Sequence, residues 1–332
     1  MPNLPLVLVF SLGHNFIYWG PWSDRRLAGF QLYQWANDVL FARPYTFERG
    51  LKDVRTTSAE ELVLDSADGL PVMKVGAWSE EKHVALSRYV DSARKARAKW
   101  GYTSFIDLFA GPGRVLNRDS KVISDGGVLS AWRMSERGGA PFNQVFIADI
   151  DSDSVLACET RLIAAGAPVQ AYVGGASKTV DEVLAVLPKG LHFAFLDPFS
   201  IEHLDFEIIR KLSSRPNIDI LIHFSVMDVQ RNIGGDFNLS RSRLDAAAPG
   251  WRRNLNLRAV PKHEQVSAYL QYWESLVTDM AKMQVSQNKP LFVNTNRGPL
   301  YRLIHLSRHP LAQKLWNIAA VPSSRQQDLP GF

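Results

Sequence analysis

Between residues 105 and 226, short apolar runs alternate with helical patterns, and most of the runs close on an acid or a pair of glycines. The runs cover residues 105–108, 144–147, 169–173, 191–196 and 218–226, and the last is strongly apolar, as expected of a strand buried on both faces. Helical spacing follows at residues 128–135, 151–165, 179–187 and 205–212, with Asp151, Ser152 and Asp153 offering cap-type residues for the second. Such alternation with short connections predicts a doubly wound α/β fold, a mostly parallel sheet with helices on both faces. Ligands of such sheets sit outside the carboxyl ends of the strands. Asp107, Asp149 and Asp197 each fall at such an end.

The first of these turns is the most informative. Asp107-Leu108-Phe109-Ala110-Gly111-Pro112-Gly113 cannot continue a strand, because Pro112 lacks an N–H and the glycines favour open backbone. Without Cβ atoms at Gly111 and Gly113, the backbone can lie against a flat ligand, with Asp107, Phe109 and Ala110 beside it. The form Asp-x-Phe-x-Gly-x-Gly is not the Gly-x-Gly-x-x-Gly of dinucleotide enzymes. It resembles the cofactor loop of class I S-adenosylmethionine-dependent methyltransferases.

Asp149 ends the second strand and is the candidate for accepting both hydroxyls of a ribose, with Asp151 left as a helix cap. It lies further from the glycines than the ~20 residues usual in dinucleotide folds, and residues 117–127 read as an ordered excursion that absorbs the excess. Asp197-Pro198-Phe199 resembles the Asp/Asn-Pro-Pro-aromatic signature of methyltransferases acting on exocyclic amines, with one proline missing. A carboxylate and a backbone carbonyl there would orient the amine, and the ring would stack a flipped base. The alternative is a strand-ending turn followed by a core Phe. Gly174-Gly175-Ala176-Ser177 stands where many methyltransferases carry an adenine-binding acid, which leaves that role to backbone groups or Ser177.

Composition narrows the class further. The 332 residues are 46% hydrophobic, and 38 Lys and Arg against 33 acids give a net charge of +5, a mild bias towards polyanions. The single Cys158 excludes a disulfide framework and fits a reducing cytoplasm. It is expected to be a buried thiol. No apolar run approaches the ~20 residues of a membrane helix, so the reading is of a soluble protein. His305 and His309 have the spacing of a helical zinc pair, yet they fall at the end of a strand-like run beside Pro310, and no metal is expected.

A helix is expected from Ser79, with Leu86, Tyr89, Val90, Ala93, Ala96 and Trp100 facing the core and Arg88, Arg94, Lys95, Arg97 and Lys99 facing phosphates or solvent. Residues 1–70 form an extension of uncertain order, with a helix expected over 24–41. Residues 71–320 form the main domain, with a basic insertion at about 230–290 that reads as loop from 232 to 260 and helix from 264 to 283. Strand 300–306, helix 311–318 and a mobile tail over 321–332 close the chain.

Taken together, several segments resemble one family, the three-Cys-motif partner proteins. They are Lys82-His83-Val84-Ala85-Leu86-Ser87-Arg88-Tyr89, the glycine turn with its strand, Asp125-Gly126-Gly127-Val128-Leu129, Phe146-Ile147-Ala148-Asp149-Ile150-Asp151, Ala194-Phe195-Leu196-Asp197-Pro198-Phe199 and Phe224-Ser225-Val226-Met227-Asp228-Val229-Gln230-Arg231. The resemblance spans residues 72–316. It implies a methyltransferase-like fold, S-adenosylmethionine as cofactor and a partner carrying a three-cysteine motif. Gly127-Val128 and Gly175 depart from the family's more usual Ser-Pro and Asp. Methylation of a DNA or RNA base is the expected activity; the alternative is a catalytically silent subunit that binds its partner or nucleic acid.

Overall fold

The computed structural model describes residues 10–12, 15–17, 63–76, 78–294 and 296–320. The chain divides into two compact units, Met1–Ala59 and Glu60–Phe332. In the first, strands β1 (Phe10–Leu12) and β2 (Asn15–Ile17) pair antiparallel. The helix expected over 24–41 and the tail over 321–332 lie outside the described residues.

The second unit begins with the hairpin β3 (Val63–Leu64) and β4 (Pro71–Val75), so its first strand precedes residue 71. Helices α1 (Trp78–Ser92) and α2 (Arg94–Arg97) lead into β5 (Thr103–Asp107). The excursion is a second hairpin, β6 (Arg114–Asn117) and β7 (Ile123–Asp125), which joins β3 and β4 in a four-stranded sheet. There follow α3 (Gly127–Arg137), β8 (Gln144–Asp149), α4 (Ser152–Ala164), β9 (Val169–Val173), α5 (Ala176–Val186), β10 (Leu191–Leu196), α6 (Phe206–Leu212) and β11 (Ile218–Ser225). The chain continues through α7 (Val226–Asp236), α8 (Trp251–Asn254), α9 (Gln265–Asp279), β12 (Gln284–Val285), β13 (Leu291–Val293), β14 (Pro299–Ser307) and α10 (Pro310–Ala319).

The main sheet runs β12-β14-β11-β10-β5-β8-β9, with β13 also on β14. Strands β9, β8, β5, β10 and β11 are mutually parallel, and β14 is antiparallel to β11. The fold is therefore a doubly wound, mostly parallel, Rossmann-like α/β sheet. Its two faces follow from the alternation of side chains along each strand. Ile106, Phe146, Ala194 and Ile220 pack with residues of α5, α6, α7 and α9. Phe105, Val145, Ile147, Phe195 and Leu221 pack with residues of α1, α3, α4 and α10.

Helix α3 begins after Gly126, since the preceding Ser124 and Asp125 are held in β7 by pairing with β6. Helix α5 starts at Ala176, three residues early. Trp100, expected to face the core, is 40% exposed because it lies beyond the end of its helix. Arg97 is no phosphate contact. It is buried, donates to the Ala140 and Val90 carbonyls and lies 4.8 Å from the Phe142 ring. Within the basic insertion, Arg252 is engaged by Asp245 at 2.5 Å, and residues 226–236 form a helix where loop was expected after 232.

Candidate active site at the carboxyl edge of the sheet

Register places the three acids. Asp107 lies opposite Ile147 of β8 on one side and Phe195 of β10 on the other. Asp149 and Asp197 are each two residues beyond those partners, so all three carboxylates share one face of the sheet. That face is the one covered by α1, α3 and α4. The three acids expected at strand ends do lie at one edge, but their environments differ sharply.

Asp107 is buried and accepts a hydrogen bond from the Phe109 amide at 3.0 Å. Burial pushes its carboxyl up to about 8, opposed by that bond and reinforced by the charges of Asp197 and Asp149. It is thus a neutral acid whose hydrogen bond shapes the turn. Asp149 is half-buried and accepts from the Gly111 amide at 2.9 Å and the Asp151 amide at 3.1 Å. Each of its oxygens keeps a further lone pair for a hydroxyl. Asp151 caps α4 through the Ser154 amide at 3.0 Å, as expected.

The turn between them is bent tightly. Gly111 has φ +54° and Gly113 φ +82°, the left-handed region that favours glycine. A Cβ on Gly113 would meet Cys158 Sγ at 3.1 Å, so the buried thiol supports the turn from below. Phe109 packs into the core, and the Ala110 amide donates to the Ala148 carbonyl at 3.0 Å. From outside, the buried Arg161 holds the turn to the first hairpin. It donates to Pro112 O and Pro71 O at 2.7 Å each and to both carboxylate oxygens of Asp68 at 2.7 and 2.8 Å.

Two apolar side chains stand out at this edge: Ile150, next to Asp149, is 79% exposed, and Phe199, next to Pro198, is 92% exposed. The core role for Phe199 is therefore excluded, while Pro198 is buried. Ser177 is exposed on α5 and donates its hydroxyl proton to Asp205 at 3.1 Å. No side chain lies within 4 Å of a Cβ built on Gly175, so the space beside the second glycine of that pair is open.

Asp197 has partners that the sequence reading missed. Lys82 of α1 donates to its Oδ2 at 2.5 Å, and Nδ1 of His223, on β11, lies 3.6 Å from its Oδ1. Burial alone would raise this carboxyl, but the Lys82 charge, with His223, brings it below its ordinary value. Burial takes His223 down to about 4, and His83, beside Lys82, down to about 3. The Tyr301 ring lies 4.3 Å from the His223 ring, and its hydroxyl donates to the Trp78 carbonyl at 2.8 Å. The signal for His223 was present in the sequence: a histidine set among the apolar residues of a strand covered on both faces demands a polar partner. His305 is buried too, but its ring stacks on Trp316 at 5.5 Å rather than facing His309, which caps α10.

No family model matches the sequence, and a search of curated proteins returns no match. Among solved structures, a protein from Legionella pneumophila, LPL1258, is similar at TM-score 0.44 and 9% identity over 73% of this chain and 91% of that one. The O-methyltransferase from Bacillus cereus in complex with SAH gives TM-score 0.40 and 14% identity over 73% and 86% of the two chains. A dimethyladenosine transferase from Plasmodium falciparum gives 0.36 and 14% over 68% and 62%. Among the described residues, no helix is long and apolar enough to cross a membrane.

Proposed function

We propose that the protein is an S-adenosylmethionine-dependent methyltransferase that methylates an exocyclic amine on a nucleic-acid base. The observation that carries this reading is the row of three acids on one face of adjacent strands, with the glycine turn bonded directly to the second of them. The residues present fit a nucleoside cofactor. Gly111 and Gly113 offer backbone without side chains, Asp149 keeps acceptor capacity for two ribose hydroxyls, and exposed Ile150 offers an apolar surface beside it. Ser177 and the open space at Gly175 flank the place for the adenine. The cofactor supplies an electrophilic methyl group.

The chain's own residues do the rest. Asp197, kept ionised, and the Pro198 carbonyl accept the hydrogens of the acceptor amine and point its lone pair, and Phe199 stacks the base. The Phe199 ring, two residues after the engaged acid, is free to stack. The three-Cys-motif partner implied by the resemblance belongs to this proposal as the protein that would act with it.

Calorimetric titration of the full chain with S-adenosylhomocysteine tests the cofactor half. Saturable binding is expected, weakened at least tenfold in Asp149→Ala. No heat and no thermal shift at millimolar ligand would remove the enzyme reading.

A further inference from the structure

Lys82, Asp197, His223 and Tyr301 come from four different elements, α1, the end of β10, β11 and β14, yet they meet in one buried cluster. The two oxygens of Asp197 have separate duties there. Oδ2 is taken by Lys82, while Oδ1 faces His223 Nδ1 at 3.6 Å, too far for a hydrogen bond. Nδ1 is buried and has no hydrogen-bond partner among the described residues. A buried, unpaired ring nitrogen costs free energy unless something arrives to use it. Tyr301 cannot be the donor, because its hydroxyl is already committed to Trp78 O.

We propose that His223 is the proton acceptor of the methyl transfer and that Lys82 is a positioning residue that fixes Asp197 with Oδ1 turned to the incoming amine. This rests on the methyltransferase reading and adds to it. The acceptor nitrogen uses its lone pair to form the new C–N bond as the donor's C–S bond breaks, with those electrons staying on sulfur. The nitrogen must then lose one proton. The electrons of the N–H bond return to nitrogen, and the proton passes along Oδ1 to His223 Nδ1. The positive charge that leaves sulfur thereby ends on the imidazole, where Asp197 stabilises it.

The alternative destination, Asp197 itself, already has Oδ2 taken by Lys82, whose charge holds the carboxyl below its ordinary value against the effect of burial, whereas His223 Nδ1 has no hydrogen-bond partner among the described residues. The groups around the imidazole are Asp197 from the end of β10, Lys82 from α1 and Tyr301 from β14; Glu81 and His83 of α1 act on it through Tyr301 and Asp197. Burial is the largest influence on His223, Asp197 opposes it and Lys82 adds to it. At neutral pH the ring is therefore neutral and able to accept.

A pH titration of the full chain with 15N-labelled histidine tests the cluster without any cofactor, with His223 assigned by the signal lost in His223→Gln. Its midpoint should lie near 4, rise in Lys82→Met, fall in Asp197→Asn and stay near the wild-type value in Lys82→Arg. A midpoint near 6.5 that none of these moves overturns the proposal, and if Lys82→Met does not fold, Asp197→Asn decides it. In parallel, transfer from radiolabelled S-adenosylmethionine to single-stranded oligonucleotides, both DNA and RNA, is measured for wild type and His223→Gln. The variant should lose about 100-fold in rate while S-adenosylhomocysteine affinity stays within twofold. A loss under threefold overturns the role of His223. A wild type that binds S-adenosylhomocysteine but methylates none of these strands overturns the amine chemistry, and one that binds none overturns the methyltransferase reading beneath it.

Discussion

Phe199 makes the substrate side of the site open to a single substitution. At 92% exposure its ring stabilises almost nothing in the fold, so Phe199→Ala should leave the unfolding midpoint unchanged. Stacking with a base is worth ~1–3 kcal/mol, and affinity for single-stranded oligonucleotide, measured by fluorescence anisotropy, should fall about tenfold or more. An equal affinity in both proteins would remove the base from the proposal. At this scale the sequence was legible in position and illegible in environment. Asp107, Asp149 and Asp197 could be placed at strand ends from the apolar runs alone. That Asp107 stays neutral, Asp149 braces the turn and Asp197 is held by a lysine 115 residues away depends on contacts between distant segments, which spacing does not encode.

Among the elements, the glycine turn is the most exacting. Gly113 and Gly139 share a positive φ, +82° and +68°, but a Cβ on Gly139 meets nothing, while one on Gly113 meets Cys158 and Leu129 at 3.1 to 3.3 Å. Both Ala substitutions carry the left-handed penalty of ~1–2 kcal/mol, and only Gly113→Ala adds crowding. Urea denaturation should show Gly113→Ala the less stable of the two by about 1 kcal/mol or more, with weakened S-adenosylhomocysteine binding in that variant alone. The parallel strands and most helices were legible because their apolar periods are long and their caps conventional. Helix α7 was not, since Ser225 ends β11 and caps the helix without an intervening turn, and Gly234 and Gly235 lie inside it. Helix α1 was found, but it was read from its cationic outer side, whereas Lys82, on the side turned inward, is the residue that reaches Asp197.

For the whole molecule, buried histidines set the response to acid. His83, His192, His223 and His305 are held by burial at about 3, 4, 4 and 3. Their folded values lie below the unfolded 6.5, so the unfolded chain binds more protons and stability falls as pH drops through 6.5 towards 4, by up to ~1.4 kcal/mol per pH unit for each. Asp107, raised to about 8, and Asp219, raised by burial, act with the opposite sign over the same window, but they are two groups against four. Urea denaturation at pH 7 and pH 5 should therefore show a clear loss at the lower pH, and equal stability would contradict the buried, uncharged imidazoles. The doubly wound architecture itself was legible from the alternation of runs, whereas the four-stranded side sheet was not, because β3, β4 and β7 are too short to show a period. That side sheet has a further consequence through Arg161, whose one guanidinium grips Asp68 and Pro71 in the leading hairpin and Pro112 in the bend between the glycines. Peeling the hairpin away would release the bend as well, so whatever grasps or tugs the leading end of this unit has a mechanical handle on its most sharply shaped loop.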